Sequence, residues 1–91
     1  MDLKWTCSAT SDLARLHRFL APLNATAAAR AVQALVAAPS RLLTQPRMGR
    51  RLEEFDPREV RRILVGTYEM RYEIQGDKLL VLRIWPVRDG R

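Results

Sequence analysis

Hydrophobic and polar positions along the chain change their period twice. Residues 3–7, Leu-Lys-Trp-Thr-Cys, alternate and include an aromatic, which predicts a short strand. Hydroxyls between Ser8 and Ser11 then offer helix caps. From Asp12 the spacing turns helical. Leu13, Leu16, Phe19, Leu20 and Leu23 recur at three and four and make one apolar stripe, with Arg15, His17 and Arg18 on other sides. Pro22 and Asn24 close this helix.

Asn24 also caps the next helix. Residues 25–38 are rich in alanine, the strongest intrinsic helix former. Ala28, Val32, Leu35 and Val36 form the apolar stripe, which Leu42 and Leu43 extend. Pro39 lacks a backbone donor, so a break near Ala38, or a fresh first turn at Pro39, is expected. The small alanine side chains allow close approach of the two helices, predicting an antiparallel helix hairpin.

Residues 45–49 read as a loop, and beyond Gly49 the period falls to two. Residues 50–55 suggest a short strand and Asp56-Pro57 a turn. Residues 59–65 form a strand that Gly66-Thr67 ends. Tyr68, Met70, Tyr72 and Ile74 alternate with Glu69, Arg71, Glu73 and Gln75, the pattern of a half-buried strand. Gly76-Asp77 supplies a hairpin turn. The apolar run from Lys78 to Trp85 suits a central strand, and Pro86 ends its pairing. The last residues, Val87 to Arg91, read as a polar tail. The prediction is an α+β fold in one domain over residues 1–91: an N-terminal strand, a helix hairpin, then a three- to four-stranded antiparallel sheet. The hairpin covers one face of the sheet, and the other face is free for function.

At 91 residues the chain holds one modest core. Its formal net charge is +6, which favours acidic or phosphate-rich partners through long-range attraction. The single cysteine, Cys7, excludes an internal disulfide and reads as buried and inert. Asp2 and Lys4 interrupt the start, with no apolar signal region after them. No run approaches a membrane span, so no membrane role is expected. A reduced, cytoplasmic protein is expected.

Candidate chemistry is basic rather than nucleophilic. Residues 58–91 carry arginines on three successive strands but no histidine, cysteine or serine. Convergence of Arg61, Arg71 and Arg83 would make a guanidinium cluster suited to phosphate or carboxylate. The competing reading pairs them with Glu59, Glu69 and Glu73 across the same strands. Periodicity leaves open whether Arg61 or Arg62 joins the group, and it puts Arg83 on one face with Leu79, Val81 and Trp85. Glu53 or Glu54 offers a general base. Tyr68 and Tyr72 offer an acid or a stacking surface, although Tyr72 falls on the apolar side of its strand, and Trp85 reads first as a core or rim anchor. One histidine and one cysteine make no credible zinc site, and the four scattered glycines make no phosphate loop, so no metal or cofactor is expected.

Trp5 in the first strand, Asp12-Leu13 with Leu16 and Phe19-Leu20, and the run from Ala27 to Val32 follow one another in order. Pro46 with Gly49-Arg50, the residues Arg58-Glu59-Val60-Arg61-Arg62, Tyr68-Glu69-Met70-Arg71-Tyr72 and Leu82-Arg83-Ile84-Trp85 complete the set. In this order they resemble the RelE/ParE superfamily of type II toxin–antitoxin toxins over nearly the whole chain. The resemblance implies a toxin neutralised by a cognate antitoxin whose acidic, partly apolar C-terminal segment wraps it. It also implies that operator DNA is reached only through the antitoxin.

RelE-like members cut messenger RNA on the ribosome by activating a ribose 2′-hydroxyl against the next phosphate. ParE-like members poison DNA gyrase and need no catalytic set. Relatives often carry a histidine after the last-strand tryptophan, where Pro86 stands here. The tail Val87-Arg88-Asp89-Gly90-Arg91 lacks the tyrosine or histidine of several nucleases, and the only lysines are Lys4 and Lys78. Arginine stays protonated and makes a poor base. These departures favour the ParE-like, non-enzymatic reading. A ribosome-dependent nuclease using Arg61, Arg71 and Arg83 with Glu53 or Glu54 is the alternative, and a decayed toxin is a third reading. Residues expected to bind the target or the antitoxin are Arg50, Arg61, Arg62, Arg71, Arg83, Trp85 and Arg88.

Overall fold

The computed structural model describes residues 1–87. β1 (Asp2–Trp5), α1 (Cys7–Leu20), α2 (Ala25–Thr44), β2 (Arg50–Arg51), β3 (Glu59–Val65), β4 (Tyr68–Gln75) and β5 (Lys78–Pro86) follow in order. Single 3-10 turns lie at Pro46–Met48 and Glu53–Phe55. All the strands join one sheet in the order β1-β5-β4-β3-β2. The α+β class stands, with one enlargement. β1 belongs to the same sheet, pairing parallel to β5, while the other pairs are antiparallel. Gly66 and Gly76 turn the two hairpins at φ of 61° and 59°, where a Cβ would be strained.

Alternation decides which side of the sheet is buried. Met70 and Tyr72 of β4 and Val81 of β5 are fully buried under the helices. Ala9 of α1 and Leu35 and Ala38 of α2 meet Val65, Met70, Val81 and Ile84 in one core cluster. Leu42 meets Tyr72, Ile74 and Leu79 in a second. Burying each large apolar side chain contributes about 1.5–3 kcal/mol.

The helices differ from expectation in three ways. The cap of α1 is Thr6, not a hydroxyl of Ser8–Ser11, and the helix begins at Cys7. The Thr6 hydroxyl accepts from Ala9 N at 3.1 Å and donates to Leu82 O at 2.9 Å, so one group starts the helix and ties it to β5. Early initiation turns Cys7 outward, and it is exposed rather than buried. The stripe on α1 is also split: Asp12 is buried, while Phe19 and Leu23 are exposed. Finally, α2 runs through Pro39 to Thr44 without a break. Pro39 is fully buried beside Leu35, Ala38 and Leu42 on the inner face of α2, and that packing offsets one lost helical hydrogen bond.

The stretch expected as one strand over residues 50–55 is shorter. Only Arg50–Arg51 pair with β3, and Glu53–Phe55 then coil into a 3-10 turn packed on β3. The polar tail from residue 88 onward, Arg88 included, lies outside the described residues. Val87 is exposed, with its N–H donating to Thr67 O at 2.8 Å.

Candidate functional site

Strand register settles the faces that periodicity left open. Arg62 is the direct partner of Arg71, whereas Arg61 is opposite the buried Tyr72. Directly opposed residues of an antiparallel pair share a face. Arg62 therefore joins Arg71 on the face away from the helices, and Arg61 does not. On β5 a register shift between Arg71 and Tyr72 pairs Arg71 with Arg83 and Tyr72 with Val81, leaving Leu82 as an extra residue. The bulge reverses the phase of β5. Leu79 and Val81 lie on the buried side, but so does Ile84, while Arg83 and Trp85 fall on the open face. Arg83 is thus not on one face with Leu79 and Val81, as strict alternation implied.

The open face is laced with ion pairs. Glu69 accepts from Arg62 at 3.2 Å and from Arg71 at 3.1 Å. Arg58 holds Glu73 through two bonds of 2.7 and 3.1 Å. The Arg71 guanidinium lies 4.6 Å from the Trp85 ring centre and 5.5 Å from that of Phe55. Its Nε is buried without a partner among the described residues. Arg83 pairs not with a strand glutamate but with Asp12 of α1, at 2.8 and 3.2 Å.

Arg61 is anchored on the other side. It donates to Glu59 at 2.9 Å and to Gly49 O at 2.7 Å, and Arg47 shares Glu59. Tyr72 is buried there as a strut. Its hydroxyl donates to Pro46 O at 2.6 Å and accepts from Gly49 N at 3.0 Å, fixing the loop that leads into β2. Burial pushes its hydroxyl pKa up. Glu53 and Glu54 sit exposed on the 3-10 turn.

Asp12, Glu59 and Glu73 are held ionised by their arginine partners. Burial acts to raise the Asp12 carboxyl, but the hydrogen bonds from Arg83 and Ile84 N, with the Arg83 charge and Arg15, outweigh it and bring it below its ordinary value. Glu59 follows the same balance, with burial opposed by Arg61 and Arg47. The Arg58 hydrogen bond dominates at Glu73 and lowers it. A carboxylate lowered in this way is not poised to take a proton near neutrality. Among the described residues, no group of three or more His, Cys, Asp or Glu side chains is gathered as a metal would need.

A second feature lies where α1 crosses the end of β5. Leu16, Phe19 and Leu20 of α1 face Tyr68, Ile84 and Pro86 across a groove of about 400 Å³. Arg15, Arg83 and Asp12 stand at its charged end. Phe19 is 72% exposed, a large apolar ring with little of its own fold to cover it.

A family model described as the ParE toxin of the type II toxin–antitoxin system parDE matches residues 3–90. The chain belongs to the ParE toxin family. A solved structure described as a chromosomal ParDE toxin–antitoxin system from P. aeruginosa is similar at 26% identity and a TM-score of 0.81. The match covers 97% of each chain. No curated protein matches the sequence.

In this ParE-family toxin, three side chains take places that spacing along the chain does not show. Asp12 stands at the start of the helical spacing, and its role is that of a partner of β5. It carried a signal: it is the only acidic residue in residues 7–44, and it stands at helical spacing from Leu16 and Phe19. Phe19 shares the helical spacing of Leu16 and Leu20 but is exposed. Phe55, at the end of the 3-10 turn, lies beneath Arg71.

Proposed function

We propose that this ParE-family chain acts in the cytoplasm as a gyrase inhibitor that works by binding, and that a cognate antitoxin neutralises it. The observation that carries the non-enzymatic part is the state of the proton-transfer groups held on the sheet and α1. Asp12, Glu59 and Glu73 are each clamped in an arginine pair and lowered, and the Tyr72 hydroxyl is locked between Pro46 O and Gly49 N. Ribose activation needs a base near neutrality, and these groups supply none. The open face offers guanidinium groups and aromatic rings, which bind a target without chemistry.

For the antitoxin, the α1–β5 groove is the favoured seat. Its apolar walls suit an amphipathic segment, and Arg15 and Arg83 suit that segment's carboxylates. Such a segment pays an ordering cost on binding but can wrap a large surface of the toxin. That no helix among the described residues is long and apolar enough to cross a membrane accords with this reading.

The test pairs gyrase supercoiling with messenger RNA cleavage on programmed ribosomes, using purified toxin. Gyrase inhibition without cleavage is the expected result. Cleavage without inhibition would overturn the proposal and return attention to Glu53 and Glu54 as the missing base.

A further inference from the structure

The ion pairs do not account for one arrangement on the open face. Arg50 is the direct strand partner of Arg62, Arg62 of Arg71, and Arg71 of Arg83. Four arginines therefore stand in one line across β2, β3, β4 and β5. Like charges directly opposite on neighbouring strands destabilise a sheet. Glu69 and Asp12 offset part of that repulsion, and the row remains net positive by two. Arg50 is exposed, with no ion pair among the described residues. Arg71 gives Glu69 one bond and leaves its Nε unpartnered. Glu69, Asp12 and the rings of Phe55 and Trp85 hold the line in place. The guanidinium groups of Arg62, Arg71 and Arg83 are thus positioned before any partner arrives.

We propose that this row contacts the sugar–phosphate backbone of duplex DNA, so that the toxin engages gyrase together with the DNA gyrase holds. The choice of DNA rests on the gyrase reading above. The scale matches. Three strand intervals of about 4.8 Å span about 14 Å. One strand of B-DNA rises about 3.4 Å per phosphate but winds as it rises, so its phosphates lie farther apart than that, and the row spans about three of them. Guanidinium groups suit phosphate oxygens through paired N–H donors. The contact reads backbone charge and not sequence, which is what an inhibitor of an enzyme acting on any DNA requires. It is separate from the operator binding expected of an antitoxin.

The test is binding of the purified full chain to a labelled DNA duplex of about 20 bp between about 50 and 200 mM salt. With about three phosphate contacts, the logarithm of the association constant is expected to fall with the logarithm of salt at a slope near −2.7. Arg50→Gln together with Arg62→Gln lowers that slope by about 2 and weakens low-salt binding at least tenfold. Arg50→Gln alone breaks no ion pair among the described residues, and it lowers the slope by about 1. The charge-matched pair Arg30→Gln and Arg41→Gln, exposed on α2, leaves the slope unchanged.

Equal slope changes from both pairs would overturn the proposal, because net charge alone would then carry the binding. Absence of DNA binding at about 50 mM salt overturns it too, as does tighter binding to duplex RNA. Loss of antitoxin binding, and not DNA binding, in the Arg50/Arg62 variant assigns the row to the antitoxin instead. Supercoiling assays on the same samples keep the two readings apart. Gyrase inhibition without DNA binding removes the row and keeps the inhibitor. DNA binding without inhibition keeps the row and removes gyrase.

Discussion

Asp12 accepts from the Arg83 side chain at 2.8 Å and from the backbone N–H of Ile84 at 2.9 Å. β1 pairs β5 only as far as Val81, so the edge of β5 beyond it lacks a strand neighbour. α1 takes that place, and one carboxylate satisfies the edge donor that a strand would have met. The same carboxylate fixes an arginine of the open face and closes one end of the α1 groove. Fold and candidate site meet at this residue.

Replacing Asp12 with Ala leaves the Ile84 N–H and the Arg83 guanidinium without their partner. A loss of about 2–3 kcal/mol is expected, below the full cost of breaking a buried pair because Arg83 is half exposed. Arg83→Gln should cost less, about 1 kcal/mol, since Asp12 keeps the Ile84 bond. Urea unfolding of both variants checks this. A loss under about 0.5 kcal/mol for Asp12→Ala would remove the edge-closing role.

Acid should unfold the protein through the paired carboxylates. Asp12, Glu59 and Glu73 lie below their ordinary values in the folded state. The unfolded chain therefore binds protons first as pH falls. The stability these groups contribute is complete above about pH 5. It declines below the ordinary carboxylate range near pH 4 and is lost as each folded value is passed. Denaturation midpoints measured from pH 7 to 3 should stay level and then drop. A steady decline starting above pH 6 would point to other groups.

Gly49 is required by crowding, not by its backbone angles. Its φ of −75° suits any residue. A Cβ there would stand 2.6 Å from the Tyr72 hydroxyl and 2.7 Å from Arg62 O. Gly49→Ala should cost about 1–3 kcal/mol as overpacking. Tyr72→Phe should cost a similar amount by leaving Pro46 O and Gly49 N unpaired. The double variant will not recover, because Arg62 O still blocks the methyl group. Thermal unfolding gives the first two costs, and recovery in the double variant would contradict the stated geometry.

Phe19→Ser tests the groove. With 72% of Phe19 exposed, the substitution should change folding stability by less than about 0.5 kcal/mol. Antitoxin affinity should fall at least tenfold, as for a hot-spot aromatic. Calorimetric titration of the antitoxin's C-terminal segment reads the change. Unaltered affinity would move the antitoxin elsewhere on the toxin.

The sequence by itself determined the order of elements, the helix hairpin and the strands of the main sheet. These follow from local rules: a period near 3.6 or near 2, caps such as Asn24, and turns such as Gly76-Asp77. It determined that β4 turns Met70, Tyr72 and Ile74 to one face and Arg71 to the other, because alternation holds within an unbroken strand. Only the tertiary structure decided the rest. Whether Arg61 or Arg62 faces Arg71 depends on the register of β3 against β4, which no local period contains. The bulge at Leu82 reversed the phase of β5 and carried Arg83 and Trp85 to the open face. Pro39 stays helical because its side chain is buried among Leu35, Ala38 and Leu42, a condition the helix cannot announce alone. Asp12 and Arg83 lie 71 residues apart in the chain. Their bond exists because β1 stops at Trp5 and α1 folds onto the edge left open, and such a contact is set by packing in three dimensions and not by spacing along the chain.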